Sequence, residues 1–493
     1  MRIRRFTQAG LRHLALATAL FGASVAGTFA AVPTFAAAPV SVPPLPTSVV
    51  RPANPGKGVP FDGNILIVTS GARIDLAKYG YVEEEYFVSG RANVYQYAAD
   101  GSVEVKTPDM PYTTRILVRK PRDPKRFSGT IQVDVAHPAA GGSTFGWSAE
   151  YIIRNGHGFV TITTRRTGQG TSAIESIKAF DPARYAPLNF TEDGLTWDII
   201  GQVGRLLKTQ TPNNPFNGYN VQRLYAQGWS GSGALLLFYI GDGFHQRARM
   251  PGGGPIFSGY LVGEPSGYPR INSTSAPAAE NDPRQRVRPR DVPAITLHTW
   301  PQPQNRRRPD GDTRGDRYRV YEVPGSAHGQ LRLPTVFTQR ADAFAMDGPF
   351  KCKNPISHFP FHHYYQSTLA RIDAWSRRGI APPPSQRIVL TADGKAQLDK
   401  FGTPEGGVRS TYTDVPIASY SGQNESAAAG ASMCQGVGSE LPLSKAQLST
   451  LYPSRGDYVS NVVRRANELE RQGWLLPYNA EDIRQEAQRF KGF

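Results

Sequence analysis

The hydrophobic and polar positions of this chain follow two different rhythms, and the first of them occupies the part before residue 110. Between residues 63 and 110, short runs alternate apolar and polar residues and are separated by Gly and Asp, as at residues 85–88 and 93–97. Alternation with a period of two places every second side chain on the same face of a strand. We therefore predict a small antiparallel β region over residues 61–110.

After residue 110, β-branched runs alternate with segments whose apolar residues recur at helical spacing. Strands are predicted at residues 115–118, 131–136, 159–164, 223–227, 256–262, 294–298 and 318–323. Helices are predicted at residues 146–154, 195–207, 233–240, 367–378, 458–471 and 480–490. Strands that alternate with helices favour a mostly parallel sheet with helices on both faces. The predicted fold class is therefore α/β, with a core over residues 111–380 and a C-terminal extension over residues 381–493.

The first 36 residues have the pattern of a secretory signal peptide. Three arginines within the first five residues give a basic start, and residues 14–35 are apolar, rich in small residues and free of acidic ones. Small residues then stand where a signal peptidase cleaves, at residues 28–30 and 34–36. A membrane anchor is the competing interpretation, but the strongly apolar run is short. The sequence predicts a secreted or periplasmic protein, with a Pro-rich linker over residues 37–60.

Charge changes this picture only slightly. The 493 residues carry a formal net charge of +16, and the arginines concentrate in two runs, at residues 284–290 and 306–317. These runs lack interleaved aromatic residues and a helical period, so nucleic-acid binding is not predicted. Solvated loops, or adhesion to an anionic cell envelope, account for the charge. The oligomeric state does not follow from these residues.

The two cysteines, Cys352 and Cys434, are interpreted as a disulfide pair. An even number of cysteines in an exported protein favours a bridge. A catalytic cysteine is the alternative, but neither residue stands at a predicted turn from strand to helix. The bridge is expected to tie the segment after His328 to the C-terminal extension.

A Gly-x-Ser-x-Ser-Gly segment at residues 228–233 carries the clearest chemistry in the chain. It lies between a predicted strand and a nearly all-apolar predicted helix. A serine on so sharp a turn needs small neighbours, and Gly228 and Ser232 supply them, although the usual motif has glycine in place of Ser232. The helix N-terminus behind it favours a developing oxyanion. Ser230 is therefore the predicted nucleophile, and Gly231 is expected to give one N–H to the oxyanion hole.

A base for this serine is predicted at His328. His328 lies in a loop of small residues after the last predicted strand. It also follows the serine in the chain, which is the order found in enzymes with a Gly-x-Ser-x-Gly elbow. The second oxyanion-hole N–H is expected from the Gly-rich loop at residues 137–142 and is assigned to Gly141. Neither a cofactor nor a metal is predicted.

Three further histidines, His358, His362 and His363, stand among aromatic residues. No carboxylate occurs at the spacing of a metal site around them. This cluster is interpreted as an aromatic wall or a lid.

On these motifs the chain resembles the secreted bacterial proteins classed as α/β-hydrolase domain proteins. The resemblance covers residues 78–490 and rests on residues 80–90, 111–115, 126–130, 228–233, 324–328, 406–409 and 414–416. It implies the α/β-hydrolase fold and a hydrolytic activity. Two departures stand out: Thr299 follows the strand end where the family carries an acid, and His137-Pro138 replace an asparagine-type residue.

The acid that His328 requires is predicted to be Glu264, because the strand ending at His298 offers none. Glu264 follows the predicted strand at residues 256–262, at the sheet edge where Ser230 is expected. Asp310 and Asp312, in an Arg-rich loop, are the alternatives. The predicted function is hydrolysis of a carboxylic ester, on a small molecule or a polymer, by a Ser-His-acid triad. Acyl transfer at the same site, or a non-catalytic envelope or binding protein with a hydrolase fold, are the other hypotheses.

Overall fold

A ten-stranded sheet forms the centre of the protein, described here from a computed structural model. The described residues are 40–61, 74–138, 141–164, 172–265, 270–276, 279, 282–329, 332, 351–427 and 434–493. The signal peptide predicted over residues 1–36 lies outside them. Within the described ranges, no helix is both long and apolar enough to cross a membrane.

The strand order of the sheet is β1-β2-β3-β5-β4-β6-β7-β8-β10-β9. The strands are β1 (Ser48–Val50), β2 (Tyr81–Tyr97), β3 (Val103–Pro121), β4 (Thr130–Val135), β5 (Gly158–Thr163), β6 (Arg223–Trp229), β7 (Gly259–Gly263), β8 (Ala294–His298), β9 (Gly311–Thr313) and β10 (Asp316–Glu322). From β5 to β10 all neighbours are parallel, whereas β1, β2, β3 and β9 pair antiparallel at the two edges. The predicted α/β class is confirmed. The predicted boundary at residue 110 falls inside β3, which joins the β region to the main sheet.

Helices cover both faces of this sheet. They are α1 (Phe145–Arg154), α2 (Ala173–Phe180), α3 (Pro182–Tyr185), α4 (Thr196–Lys208), α5 (Gly231–Gly241), α6 (Phe244–Arg247), α7 (Phe361–Arg378), α8 (Thr411–Asp414), α9 (Cys434–Val437), α10 (Lys445–Leu451), α11 (Arg455–Arg471) and α12 (Pro477–Arg489). Successive residues of a parallel strand enter opposite layers of the core. Tyr225 of β6 packs in the layer with α1, α7, α11 and α12, whereas Leu224 and Ala226 pack in the layer with α2, α4, α5 and α6. Strands buried on both faces explain why the sequence reads there as continuous apolar runs.

The C-terminal extension adds a second, two-stranded sheet, β11 (Ala418–Ser421) and β12 (Ser439–Pro442). Its helices α11 and α12 belong to the same apolar layer as α1 and α7. Trp474 packs its ring edge-on against Tyr321 of β10 at 4.8 Å between centroids. The extension therefore shares its core with the central sheet.

The arginines of the two basic runs contact the rest of the fold closely. Arg284 pairs with Asp282, and its guanidinium lies 4.0 Å from the ring centroid of Tyr97. Arg306 is buried and donates to the carbonyl oxygen of Pro265. Arg308 pairs with Asp316. The prediction of solvated loops is wrong for these three side chains, because each guanidinium is partnered by a carboxylate or a buried carbonyl. Adhesion to an anionic envelope stays a prediction.

The predicted disulfide is confirmed: Cys352 and Cys434 are bonded, with their Cα atoms 5.5 Å apart. Two residues after Cys434, the carbonyl oxygen of Gly436 accepts a hydrogen bond from the N–H of Gly329, at 2.6 Å. Gly329 directly follows His328. The bridge therefore anchors the segment that holds the histidine loop from behind.

Replacing both cysteines by serine is expected to lower the free energy of unfolding by about 4 kcal/mol, because the bridge restricts a long loop in the unfolded chain. Urea unfolding of the oxidised wild type and of Cys352→Ser/Cys434→Ser, followed by circular dichroism, measures the difference. The reduced wild type is the matched control and should unfold with the variant. Coincident unfolding of all three samples would contradict the assigned role, as would two free thiols in the mass spectrum of the non-reduced protein.

Candidate active site

Ser230 occupies the sharp turn between β6 and α5. Its backbone has φ 58° and ψ −119°, a conformation that side-chain-bearing residues rarely adopt and that costs on the order of 1–3 kcal/mol. The turn is held on the side of β7, where the N–H of Ser230 donates to the carbonyl oxygen of Gly263 at 3.0 Å. This is the local geometry expected of a nucleophile elbow.

Close packing explains the small residues of the elbow. A Cβ on Gly228 would lie 2.7 Å from the carbonyl of Ser232, and one on Gly233 would lie 2.1 Å from the carbonyl oxygen of Gly263. Ser232, which departs from the usual glycine, uses its hydroxyl within the turn. The hydroxyl accepts from the N–H of Trp229 at 3.0 Å and donates to the carbonyl oxygen of the same residue at 2.9 Å. The departure from the motif is therefore compatible with the elbow.

The structure brings His328 and Glu264 together. His328 lies in the loop after β10, and Glu264 directly follows β7 with φ 30°. The Nδ1 atom of His328 is 2.9 Å from Oε1 of Glu264. A carboxylate in this position fixes the tautomer of the imidazole and leaves Nε2 for a reacting group.

Thr299 also binds Glu264, although no role for Thr299 was predicted from the sequence. Its backbone N–H donates to Oε2 of Glu264 at 2.7 Å, and its hydroxyl donates to the same oxygen. Thr299 follows β8, the strand end where the family's acid was expected. The residue that looked like a missing acid thus binds a carboxylate supplied by the neighbouring strand. In the sequence, the available signal was a hydroxyl residue, Thr299, at the strand end where the acid was expected.

The alternative acids bind other partners. Asp310 accepts a hydrogen bond from the backbone N–H of Ser385 at 2.8 Å. Asp312 pairs with Arg319 and keeps 62% of its side chain exposed. Both contacts lie at the β9–β10 edge of the sheet, so these carboxylates are engaged away from His328.

Electrostatics within the pair favour a charged imidazole. Burial lowers the pKa of His328, but the negative charge of Glu264 and its hydrogen bond outweigh burial, so that the pKa lies above its usual 6.5. Burial raises the pKa of Glu264, and the charge and hydrogen bond of His328 outweigh that effect, so this pKa is lowered. The pair is therefore suited to receive a proton on the histidine while the glutamate stays ionised.

Trp229 links the elbow to the histidine loop. Its indole N–H donates to the carbonyl oxygen of His328 at 3.0 Å, and the two rings lie 5.8 Å apart. Since Trp229 directly precedes Ser230, this bond keeps the end of β6 and the loop of His328 together. The C-terminal extension also contacts this loop, because a Cβ on Gly438 would lie 2.7 Å from Cβ of Ala327.

Aromatic side chains surround Trp229 on the α7 side. The ring centroids of Phe361 and Tyr365 lie 5.0 Å and 6.3 Å from that of Trp229, and both side chains are fully buried, so that the wall or lid stays a prediction. Helix α7 begins at Phe361 rather than at the predicted residue 367, directly after Pro360. His362 and His363 are buried in this helix, 4.3 Å apart, as part of the core. Among the described residues, no cluster of His, Cys, Asp or Glu has the arrangement of a metal site.

The loop after β4 packs directly on Gly231, the residue that follows Ser230. A Cβ on Gly231 would lie 2.9 Å from Cγ of Pro138 and 3.2 Å from Nε2 of His137. Gly141, to which the second oxyanion N–H was assigned, donates its N–H to the carbonyl oxygen of His137 at 2.8 Å. The structure thus brings His137 and Pro138, rather than the N–H of Gly141, against Gly231.

No curated protein matches the chain. Solved structures to which the chain has a weak likeness include a putative dienelactone hydrolase from Klebsiella pneumoniae, at 12% identity over 43% of this chain and 72% of that one, with a TM-score of 0.23. Another is an alpha-beta serine hydrolase homologue from Coxiella burnetii, at 8% identity over 38% and 70%, with a TM-score of 0.23. A third is esterase B from Lactobacillus rhamnosis, at 12% identity over 39% of this chain and 50% of that one, with a TM-score of 0.22.

These matches are too weak to indicate the fold or the reaction of this chain. The model of the alpha/beta hydrolase domain family, by contrast, matches residues 49–485, which include the sheet, the elbow, the histidine loop and most of the C-terminal extension. The chain therefore belongs to the alpha/beta hydrolase domain family.

Proposed function

We propose that this protein is a serine hydrolase that cleaves carboxylic esters with Ser230, His328 and Glu264 as its catalytic triad. The observation that carries the proposal is the 2.9 Å hydrogen bond between Glu264 and His328. Trp229, which directly precedes Ser230, binds the same histidine loop. A serine on a strained elbow, a histidine and a partly buried carboxylate are the parts that nucleophilic acyl chemistry needs.

The proposed reaction follows from these positions. The hydroxyl oxygen of Ser230 attacks the ester carbonyl while its proton passes to Nε2 of His328. Glu264 stabilises the imidazolium through Nδ1, and the N–H of Gly231, at the start of α5, donates to the oxyanion. His328 then gives the proton to the leaving alcohol. Water, activated by the same histidine, releases the acid from the acyl-enzyme and restores the serine.

A non-catalytic envelope or binding protein is the hypothesis from another class. Its main support in the sequence was the missing acid after the strand that ends at His298. The contact of Glu264 with His328 weakens that support, because it offers an acid from the adjacent strand for the proposed triad. Acyl transfer uses the same steps and differs only in the acceptor of the acyl group.

An extracytoplasmic location is part of the proposal. The pattern of residues 1–36 and the Cys352–Cys434 disulfide support it, since disulfides persist mainly in oxidising compartments. The substrate is proposed as an ester, on a small molecule or on a polymer, and an anionic envelope surface as a possible site of attachment.

The deciding experiment combines a fluorophosphonate probe with p-nitrophenyl esters of increasing acyl length, using the chain without residues 1–36. We expect probe labelling on the peptide that contains Ser230, together with ester hydrolysis that depends on acyl length. Heat-denatured protein is the control, because labelling requires the folded triad. Absence of both labelling and hydrolysis would contradict the proposal. If an added alcohol accelerated ester cleavage and received the acyl group, acyl transfer would be favoured over hydrolysis.

A further inference from the structure

We propose that the side chain of His137 is the second donor of the oxyanion hole, acting as a neutral imidazole whose Nε2–H binds the developing oxyanion opposite the N–H of Gly231. This inference rests on the function proposed above. It replaces the expected backbone donor, Gly141, with a side chain from the same loop.

Position in the sheet brings His137 to the elbow. It lies two residues beyond β4, and β4 is the direct parallel neighbour of β6, which ends at Trp229. Its Nε2 atom is 3.2 Å from the point where a Cβ on Gly231 would stand. The imidazole nitrogen therefore lies beside the first residue of α5, whose N–H is the other donor. An oxyanion hole requires two donors on such neighbouring elements.

The backbone of the loop explains why a side chain is needed. The N–H of His137 donates to the carbonyl oxygen of Gly142 at 2.8 Å, and the N–H of Gly141 donates to the carbonyl oxygen of His137 at 2.8 Å. Pro138 has no N–H to offer. Among the described residues 137, 138 and 141, the backbone N–H groups are therefore engaged within the loop or missing.

The charge state of His137 suits a donor and not a base. Burial, together with the positive charge of His328, lowers the pKa of His137 to about 4. A neutral imidazole still has one N–H to donate, and it does not repel the imidazolium that forms on His328. Two histidines whose pKa values are displaced in opposite directions indicate two roles. His328, paired with Glu264, accepts the proton, whereas His137 keeps its own.

The test compares His137→Gln with His137→Met, two side chains of similar length of which only glutamine has an N–H donor. Loss of one oxyanion-hole donor lowers kcat by about 10² to 10³. We expect His137→Met to lose about 100-fold in kcat with KM within about threefold of wild type. His137→Gln is expected to recover at least about tenfold over His137→Met. Thermal unfolding checks that both variants fold. If His137→Met does not fold, His137→Ala takes its place.

The outcomes separate this inference from the function on which it rests. A wild type that neither hydrolyses esters nor reacts with the probe overturns the proposed function itself. If the wild type is active, equal kcat values for the glutamine and methionine variants overturn the role of His137 alone. A loss confined to KM does the same, because it marks a packing or binding role.

Discussion

Ser230→Ala is expected to lower kcat for p-nitrophenyl esters by about 10⁶, since removing the nucleophile disables the triad as a unit. The fold should persist, because the backbone bond from residue 230 to Gly263 holds the turn and does not require the serine side chain. Probe labelling and the steady-state rate measure the loss, and circular dichroism checks the fold. A variant that retains a tenth of the wild-type rate would show that Ser230 is not the nucleophile.

Ser232→Ala is the matched control for this variant. Its hydroxyl bonds only within the turn, to the backbone of Trp229, so its loss should lower the free energy of unfolding by about 1 kcal/mol. We expect that protein to keep its probe reactivity at Ser230. If both serine variants lost labelling equally, the effect would come from distortion of the elbow.

Glu264→Gln is expected to lower kcat by about 10⁴, because an amide does not hold His328 in the required tautomer or stabilise its charge. The same rates are measured for Asp310→Asn and Asp312→Asn, whose carboxylates bind Ser385 and Arg319 in the structure. Those two controls should stay near wild type. A near-normal Glu264→Gln with a collapse of either aspartate variant would place the triad's acid in the Arg-rich loop instead.

The pH dependence gives a second reading of the same variant. A general base must be neutral, so kcat/KM falls as the pH drops through the pKa of His328 in the free enzyme. The charge of Glu264 raises that pKa above 6.5 against the opposing effect of burial. Removing the charge leaves burial alone, and the midpoint of the acid limb should therefore move to lower pH. An unchanged midpoint would contradict the coupling of the two groups.

The family assignment bears on how far the substrate can be inferred. The fold places Ser230, His328 and Glu264 after the ends of parallel strands, but many chemistries share such an arrangement. The aromatic residues around Trp229, including Phe361 and Tyr365, are buried in the core. The series of acyl lengths tests how long an acyl chain the site accepts.

Features that depend on neighbouring residues along the chain could be predicted from the sequence. Periodicity located the strands and helices, since side chains two apart in a strand, or three to four apart in a helix, share a face. Small residues around Ser230 predicted the elbow because the strain of the turn is local. His328 followed from its place after the last strand, and the pairing of Cys352 with Cys434 followed from the number of cysteines and the predicted export of the chain.

The strand ends that meet in the folded protein could not be predicted in this way. Thr299 lies 35 residues from Glu264 in sequence, and no local pattern reveals that it binds the carboxylate. The arginines of the two basic runs, such as Arg306, looked solvated because sequence does not show which buried carbonyl groups they reach. The contact of His137 with Gly231 likewise depends on β4 lying beside β6. Local forces fix each element, but strand order and the closing of loops select the contacts that make a site.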